Sequence, residues 1–282
     1  MATSTQLVRQ LRERTDAPML ECKNALAASN NDLGKAVEWL AARSQKVAAS
    51  KSGRETKQGL VGLALAADGS AGAIVQLLCE TDFVARNADF QASATEIAQL
   101  ALAGAAEPSP AVVSDLVGKF RCVLRARVHQ RALNAARENI VLGQRLVLHA
   151  SAGGVVGSYL HGRLGPGVGT MAALVAVSKP GTRSLADTLA LHVAGANPRC
   201  LTREQLPQDE LAREEARVTA GETGKPPAVL AKIAQGRMQK YFAEHCLMDQ
   251  SLIVGEDEGT PIKKLVPASV KVEGFVRLSL KP

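Results

Sequence analysis

The chain has 282 residues, 46% of them hydrophobic and 22% charged, and a formal net charge of +7. That length exceeds one minimal core and indicates two or more domains, and the composition is that of an ordinary soluble globular protein rather than a disordered or fibrous one. The moderate positive charge permits contact with nucleic acid or an acidic protein and requires neither.

The first residues lack the apolar segment of a secretory signal, and charges arrive early at Arg9, Arg12, Glu13 and Arg14. No apolar run is long enough to span a bilayer, so a cytoplasmic protein without a membrane partner is expected. Residues 1–54 read as three short helices. Thr3 and Gln6 have capping-box spacing, and Leu7, Val8 and Leu11 recur on one helical face. Thr15-Asp16-Ala17-Pro18 breaks the pattern, and Pro18 suits the first turn of a second helix with Met19, Cys22 and Leu26 along one side. After the turn Asn30-Asn31-Asp32, Asp32 can cap a third helix bearing Leu33, Val37 and Leu40. Residues 46–58 are polar and basic, with Lys46, Lys51, Arg54 and Lys57, and read as a linker or a solvated helix end.

Residues 55–140 form the next unit. Apolar stretches at 60–66 and 71–79, joined through Asp68-Gly69-Ser70, predict a β-hairpin. The second is almost unbroken, as in a strand buried on both faces. A helix is expected over 88–103, which leaves Thr81-Asp82-Phe83-Val84-Ala85 at a strand-to-helix junction. Aromatics are only 3% of the chain. Phe83 therefore has two readings: a plug in its own core with Asp82 as helix cap, or a ring offered to a partner's pocket with a carboxylate beside it. Pro108-Ser109-Pro110 precedes a long helix over 115–139, with Leu116, Phe120, Leu124 and Val128 on its apolar side and Arg121, Arg125, Arg127 and Arg131 outward. That basic face lacks the aromatics that stack bases, so a solvated face competes with RNA binding.

The second half, 141–200 with 247–282, repeats the plan. Strands at 145–150 and 155–161 around Ser151-Ala152-Gly153-Gly154 predict another hairpin. Gly165-Pro166-Gly167-Val168-Gly169 reads as a loop and 171–177 as a buried strand. Ser184 is expected to cap a helix through 194, closed by Gly195, Asn197 and Pro198, and 270–280 is the last strand. The fold class is therefore α+β with a duplicated core. Residues 201–246 look different: a charged helix opened by Pro207, a break at 221–227, and a helix over 228–245 with Leu230, Ile233, Arg237 and Tyr241 near one side. This predicts an antiparallel, coiled-coil-like hairpin inserted between core strands.

Catalytic signals are few. No phosphate-binding Gly-x-x-x-x-Gly-Lys-Ser/Thr, Gly-x-Gly-x-x-Gly, His-Glu-x-x-His or Gly-x-Ser-x-Gly pattern occurs. Cys22, Cys79, Cys122, Cys200 and Cys246 are scattered and odd in number, against a zinc site or disulfide framework and in keeping with a reducing compartment. No enzyme, metal, cofactor or direct nucleotide binding is expected.

Thr81-Asp82-Phe83-Val84-Ala85 resembles a signature of the elongation factor Ts family. Further blocks follow in the family's order: Leu11-Arg12-Glu13-Arg14-Thr15 with Met19-Leu20-Glu21-Cys22-Lys23, Gly157-Ser158-Tyr159-Leu160-His161-Gly162, Gly224-Lys225-Pro226 and Gly236-Arg237-Met238. His192 in His192-Val193-Ala194 also matches, though its helical position favours packing. The resemblance implies a guanine nucleotide exchange factor that binds elongation factor Tu carrying GDP. It implies a ubiquitin-associated-like fold for the three-helix module, which meets the partner's nucleotide-binding domain through Arg12, Met19 and Leu20; Leu20 stands where a second Met is familiar. Phe83, with Asp82 beside it and Thr81 and Val84 flanking, would enter a pocket and disturb the partner's Mg²⁺ side. His161 would approach its phosphate-binding loop. The hairpin would reach another domain of the partner, and in some members it self-associates, so a homodimer or 2:2 complex is an open alternative. The sequence ends just after the last predicted strand, and a smaller interface is expected than in members that continue into a C-terminal helix. The competing readings are an RNA-binding protein using 115–139 and a purely structural dimer built on the hairpin.

Overall fold

A computed structural model describes residues 4–15, 17–51, 53–104, 138–219, 226–255 and 257–280. Three helices open it: α1 (Ser4–Thr15), α2 (Met19–Ala28) and α3 (Leu33–Lys51). Val8, Leu11, Cys22, Leu26, Ala36 and Leu40 close on one another in a buried cluster drawn from this segment. Asp32 accepts the Lys35 N–H at 3.0 Å and so satisfies a free donor at the start of α3. Met19 does not join Cys22 and Leu26 inside; it stands on the first turn of α2 and is exposed. Thr3, expected to cap α1, lies outside the described residues.

Two antiparallel sheets follow. Strands β1 (Gln58–Leu65), β2 (Ala71–Cys79), β3 (Val141–His149) and β5 (Val168–Gly169) form one, in the order β3-β2-β1-β5. Strands β4 (Val155–His161), β6 (Met171–Val177) and β7 (Val272–Ser279) form the other, in the order β4-β6-β7. The sheets pack face to face, with Val61 and Ile74 of the first against Val156, Leu160, Ala172, Leu174, Ala176 and Leu278 of the second. Helix α5 (Ala88–Ala103) covers the outer face of the first sheet and α6 (Arg183–Ala196) that of the second. Alternation along the strands explains their unbroken apolarity. Ala73, Val75 and Leu77 of β2 face α5 while Ile74 faces the other sheet; Ala173, Val175 and Val177 of β6 face α6 while Ala172, Leu174 and Ala176 face inward. Both sides of β2 and of β6 are dry, which is usual for parallel sheets and here follows from stacking antiparallel ones in four layers.

The helices approach their sheets closely at two glycines. A Cβ on Gly62 of β1 would lie 2.4 Å from the Ala94 carbonyl oxygen of α5, and one on Gly157 of β4 would lie 2.2 Å from the Ala186 carbonyl carbon of α6. Only a residue without a side chain fits either crossing.

Several expectations need correction. The strands around Ser151 to Gly154 do not pair with each other: β3 pairs with β2 and β4 with β6, so the chain crosses between sheets there. The tip of the β1–β2 hairpin holds that crossing, with Ser70 O accepting the Ala150 N–H at 2.9 Å and Gly69 O the Val156 N–H at 2.8 Å. An apolar alternation fixes which residues face inward but not which neighbour a strand chooses. Consequently β3, placed by sequence with the second half, completes the first sheet. Helix α6 starts before Ser184, with Thr182 as its cap residue, and Asn197 closes it in a left-handed conformation at φ 50°. The basic helix expected over 115–139, with Arg121, Arg125, Arg127 and Arg131, lies outside the described residues except Glu138 and Asn139, which are not helical.

Helices α7 (Gln208–Thr219) and α8 (Pro227–His245) run antiparallel: Glu210 near the start of α7 meets Tyr241 near the end of α8, where the phenol donates to the carboxylate at 2.6 Å. At their neck Cys200 and Cys246 lie side by side in a short parallel bridge. No helix among the described residues is long and apolar enough to cross a membrane.

Candidate functional site

Strand β2 ends at Cys79, and Thr81, extended at φ −125° and ψ 157°, precedes the single helical turn α4 (Asp82–Ala85). Ala85 is buried and Val84 packs half-buried against the cluster under α5. With those two anchored, the turn presents the others to solvent, and the Phe83 side chain is 80% exposed. Asp82 meets Arg86 at 3.5 Å with both exposed, a contact of little energetic weight. The core plug is Phe90 instead, buried on α5 one turn after its cap Asn87, whose side-chain oxygen accepts the Phe90 N–H at 3.3 Å. Of the two readings of Phe83, burial in its own core is therefore excluded.

The turn is fixed from behind by residues that sequence patterns did not single out. One carboxylate oxygen of Glu138 accepts the Glu80 N–H at 2.9 Å and the Thr81 N–H at 3.0 Å; the other accepts the Thr81 hydroxyl at 2.6 Å. The hydroxyl of Thr81 is thus committed inward, and Thr81 and Val84 belong to the support of the turn. The Glu80 carboxylate in turn accepts the Asn139 N–H at 2.5 Å and lies 3.6 Å from Arg54. The buried Asn139 amide donates to the Arg54 carbonyl at 2.8 Å. Cys79 sits under this network, its thiol donating to the Thr81 carbonyl at 3.2 Å; burial, then the Glu138 charge, pushes its pKa up to about 12. Glu138 lies more than fifty residues from the groups it binds, and no local spacing rule joins them.

The second exposed candidate, His161, ends β4. Its backbone carbonyl accepts the Thr170 N–H at 2.9 Å, and its Nδ1 faces the Tyr159 hydroxyl at 3.3 Å. The loop after it carries exposed Leu164 and returns along α5. There Thr95 donates to the Pro166 carbonyl at 3.2 Å, and Gly165 lies so close to Gln91 that a Cβ would come within 2.5 Å of the side-chain oxygen. The same Gln91 amide reaches the Ala85 and Arg86 carbonyls at 3.5 and 3.4 Å. Helix α5 therefore backs both the end of the Phe83 turn, through Gln91, and the His161 loop, through Thr95, so the two rest on one support.

Met19 and Leu20 form a second exposed apolar pair, 58% and 67% accessible, with Arg12 exposed on α1 nearby in sequence. Their module packs on itself and is tied to the Phe83 turn through Arg54, in the segment after α3.

Residues 80–281 match the family model described as Elongation factor TS. Elongation factor Ts of Paramagnetospirillum magneticum is 35% identical over 288 residues, covering 98% of this chain and 91% of that protein. Elongation factor Ts of Clostridium botulinum strain Eklund 17B is 37% identical over 283 residues, with 97% and 91% covered. That of Alkalilimnicola ehrlichii is 36% identical over 283 residues, with 98% and 91% covered. The chain belongs to the elongation factor Ts family. The family match takes in the clamped turn, His161 and the helical hairpin, and it begins at Glu80, where the clamp begins. In this family member His192 is structural: it is buried, its Nε2 faces the Gln250 side-chain oxygen at 2.8 Å, and its Nδ1 accepts the Ile253 N–H at 3.3 Å. Burial lowers its pKa, which keeps the ring neutral. Among the described residues no group of three His, Cys, Asp or Glu side chains is placed to hold a metal ion. What the site offers is apolar contact area on a rigid support.

Proposed function

We propose that this protein is the guanine nucleotide exchange factor of elongation factor Tu, binding its GDP form and hastening GDP release during translation elongation. The observation that carries the reading is the Phe83 ring, 80% exposed on a turn held at Thr81, Val84 and Ala85. Family membership supplies the partner's identity.

The mechanism follows from differential binding. A GTPase of this kind holds its nucleotide through a phosphate-cradling loop and Mg²⁺. Mg²⁺ demands near-ideal octahedral ligands, so a small displacement around it weakens the hold. Phe83 enters an apolar pocket of the partner with Asp82 alongside and displaces the Mg²⁺-side elements. Burying a Phe side chain is worth roughly 1.5–3 kcal/mol, which offsets part of that distortion. His161 presses the phosphate-loop side from the same support, and Met19 and Leu20 add apolar contact on the nucleotide-binding domain. Factor and nucleotide then weaken each other's binding by equal factors, as linkage requires.

Release of a fluorescent GDP from elongation factor Tu tests this. Phe83→Ala is expected to slow the stimulated rate by about 10- to 150-fold, the loss of that contact at about 1.4 kcal/mol per tenfold. The thermal midpoint should stay unchanged, because the ring covers no core. A native rate would remove Phe83 from the mechanism.

A further inference from the structure

We infer that Glu138 is a positioning residue for exchange: its carboxylate, bound to the backbone of Glu80 and Thr81 and to the Thr81 hydroxyl, holds the Phe83 turn in its outward, binding-competent conformation. The inference rests on the reading of Phe83 as the partner-contacting ring.

The strand ladder stops at Cys79, which pairs with Gln58, and α4 is too short to stabilise itself. Between them, the Glu80 and Thr81 N–H groups have no backbone ladder, and one Glu138 oxygen takes both. Charged acceptors make the stronger hydrogen bonds, and losing one leaves partly buried donors without a partner. Arg54 and Asn139 extend the same network into the segment that follows the three-helix module. A ring that must enter a pocket gains from being held in place beforehand, since the ordering cost is then not drawn from binding. Removing Glu138 frees the turn, so the fraction of molecules with Phe83 poised falls while the ring itself is unchanged.

The atoms dictate an unusual rescue. A glutamine at 138 keeps one carbonyl oxygen, able to accept both N–H groups, while its amide can donate to the Thr81 hydroxyl oxygen, reversing that bond. Glu138→Gln is therefore expected to retain most of the exchange rate, and Glu138→Ala to lose on the order of tenfold. Thr81→Val removes the hydroxyl alone and should fall between them.

The decisive measurement is stimulated GDP release in the full chain for Glu138→Ala, Glu138→Gln, Phe83→Ala and the double variant Glu138→Ala/Phe83→Ala. Amide hydrogen exchange at Glu80 and Thr81 is followed in parallel without any partner. Glu138→Ala should lose protection at those two amides, Glu138→Gln should keep it, and Glu138→Ala should cost nothing further once Phe83 is gone. An additive loss in the double variant, a Gln variant as slow as the Ala variant, or unchanged amide protection in Glu138→Ala would each overturn the inference. If Phe83→Ala alone leaves exchange at the native rate, the partner-contact reading fails first, and the amide data still judge the clamp by itself.

Discussion

The two exposed turns are held by different physics. The Phe83 turn hangs on side chains: a carboxylate from far along the chain takes two backbone donors and a hydroxyl, and an ion pair and a buried amide stand behind it. The His161 turn hangs on the backbone, through the β4–β6 ladder up to the His161–Met171 pair and the Thr170 N–H. A backbone-held turn tolerates changes of side chain, whereas a turn held by one carboxylate can be released by one substitution. If both are partner contacts, the first carries the greater leverage and the second mainly adds contact.

The two halves of the core are separated most forcibly at the helix crossings. Gly157→Ala would drive a methyl into the backbone of α6, so that the helix must lift from β4. Overpacking of this kind costs about 3 kcal/mol, roughly 6–10 °C in Tm for a domain of this size. Calorimetry should show that loss while the amides of Glu80 and Thr81 keep their native protection, because their partners lie in the first half. Gly62→Ala, the matching change against α5, should lower both stability and that protection. Equal effects of the two variants on the Phe83 turn would mean that the halves are not independently supported.

The elements that sequence revealed are those with local causes. The buried strands show as apolar runs, the β1–β2 hairpin through Asp68, whose carboxylate accepts from Ser70 at 3.0 and 2.7 Å, and the helical hairpin through Pro207 and the break before Pro227. Phe83 was legible because an aromatic beside Asp at a strand end matches a family signature. What stayed hidden depends on contacts distant in sequence. The partner of β3 is chosen by sheet geometry, since its alternation suits either sheet. Glu138 and Asn139 fall at the end of a predicted helix, where an acidic residue and an amide read as solvated. Gln91 looks like any polar residue on a helix, yet its amide reaches the carbonyls that end α4.

A smaller effect belongs to His161. Its imidazole is exposed, with Nδ1 3.3 Å from the Tyr159 hydroxyl, so a partner would meet the ring through one hydrogen bond at Nε2. One such hydrogen bond is worth about 0.5–1 kcal/mol, so His161→Ala should slow GDP release by roughly two- to fivefold. Thermal stability should not move. A loss matching that of Phe83→Ala would invert the ranking of the two turns, and no loss would make His161 incidental.

The gentlest test leaves exchange aside and reads the clamp through Cys79. Its thiol is held neutral by burial first and by the Glu138 charge second, at a pKa of about 12. A raised thiol pKa means that the reactive thiolate is scarce until strongly alkaline pH. Glu138→Gln keeps the hydrogen bonds but removes a negative charge, so the thiolate is penalised less and the pKa falls. Burial, the larger cause, remains, so the pKa should still lie above the ordinary value of 9.0. Ultraviolet absorbance of the Cys79 thiolate, taken as the difference from the matching Cys79→Ala chain between pH 8 and 11, should therefore rise at lower pH in the Gln variant than in the native chain. The His161 turn has no half-buried carboxylate of this kind among its described partners. If the Cys79 profile is identical in the two proteins, the carboxylate lies farther from the strand end than the clamp requires, and the distinction between the two turns loses its electrostatic half.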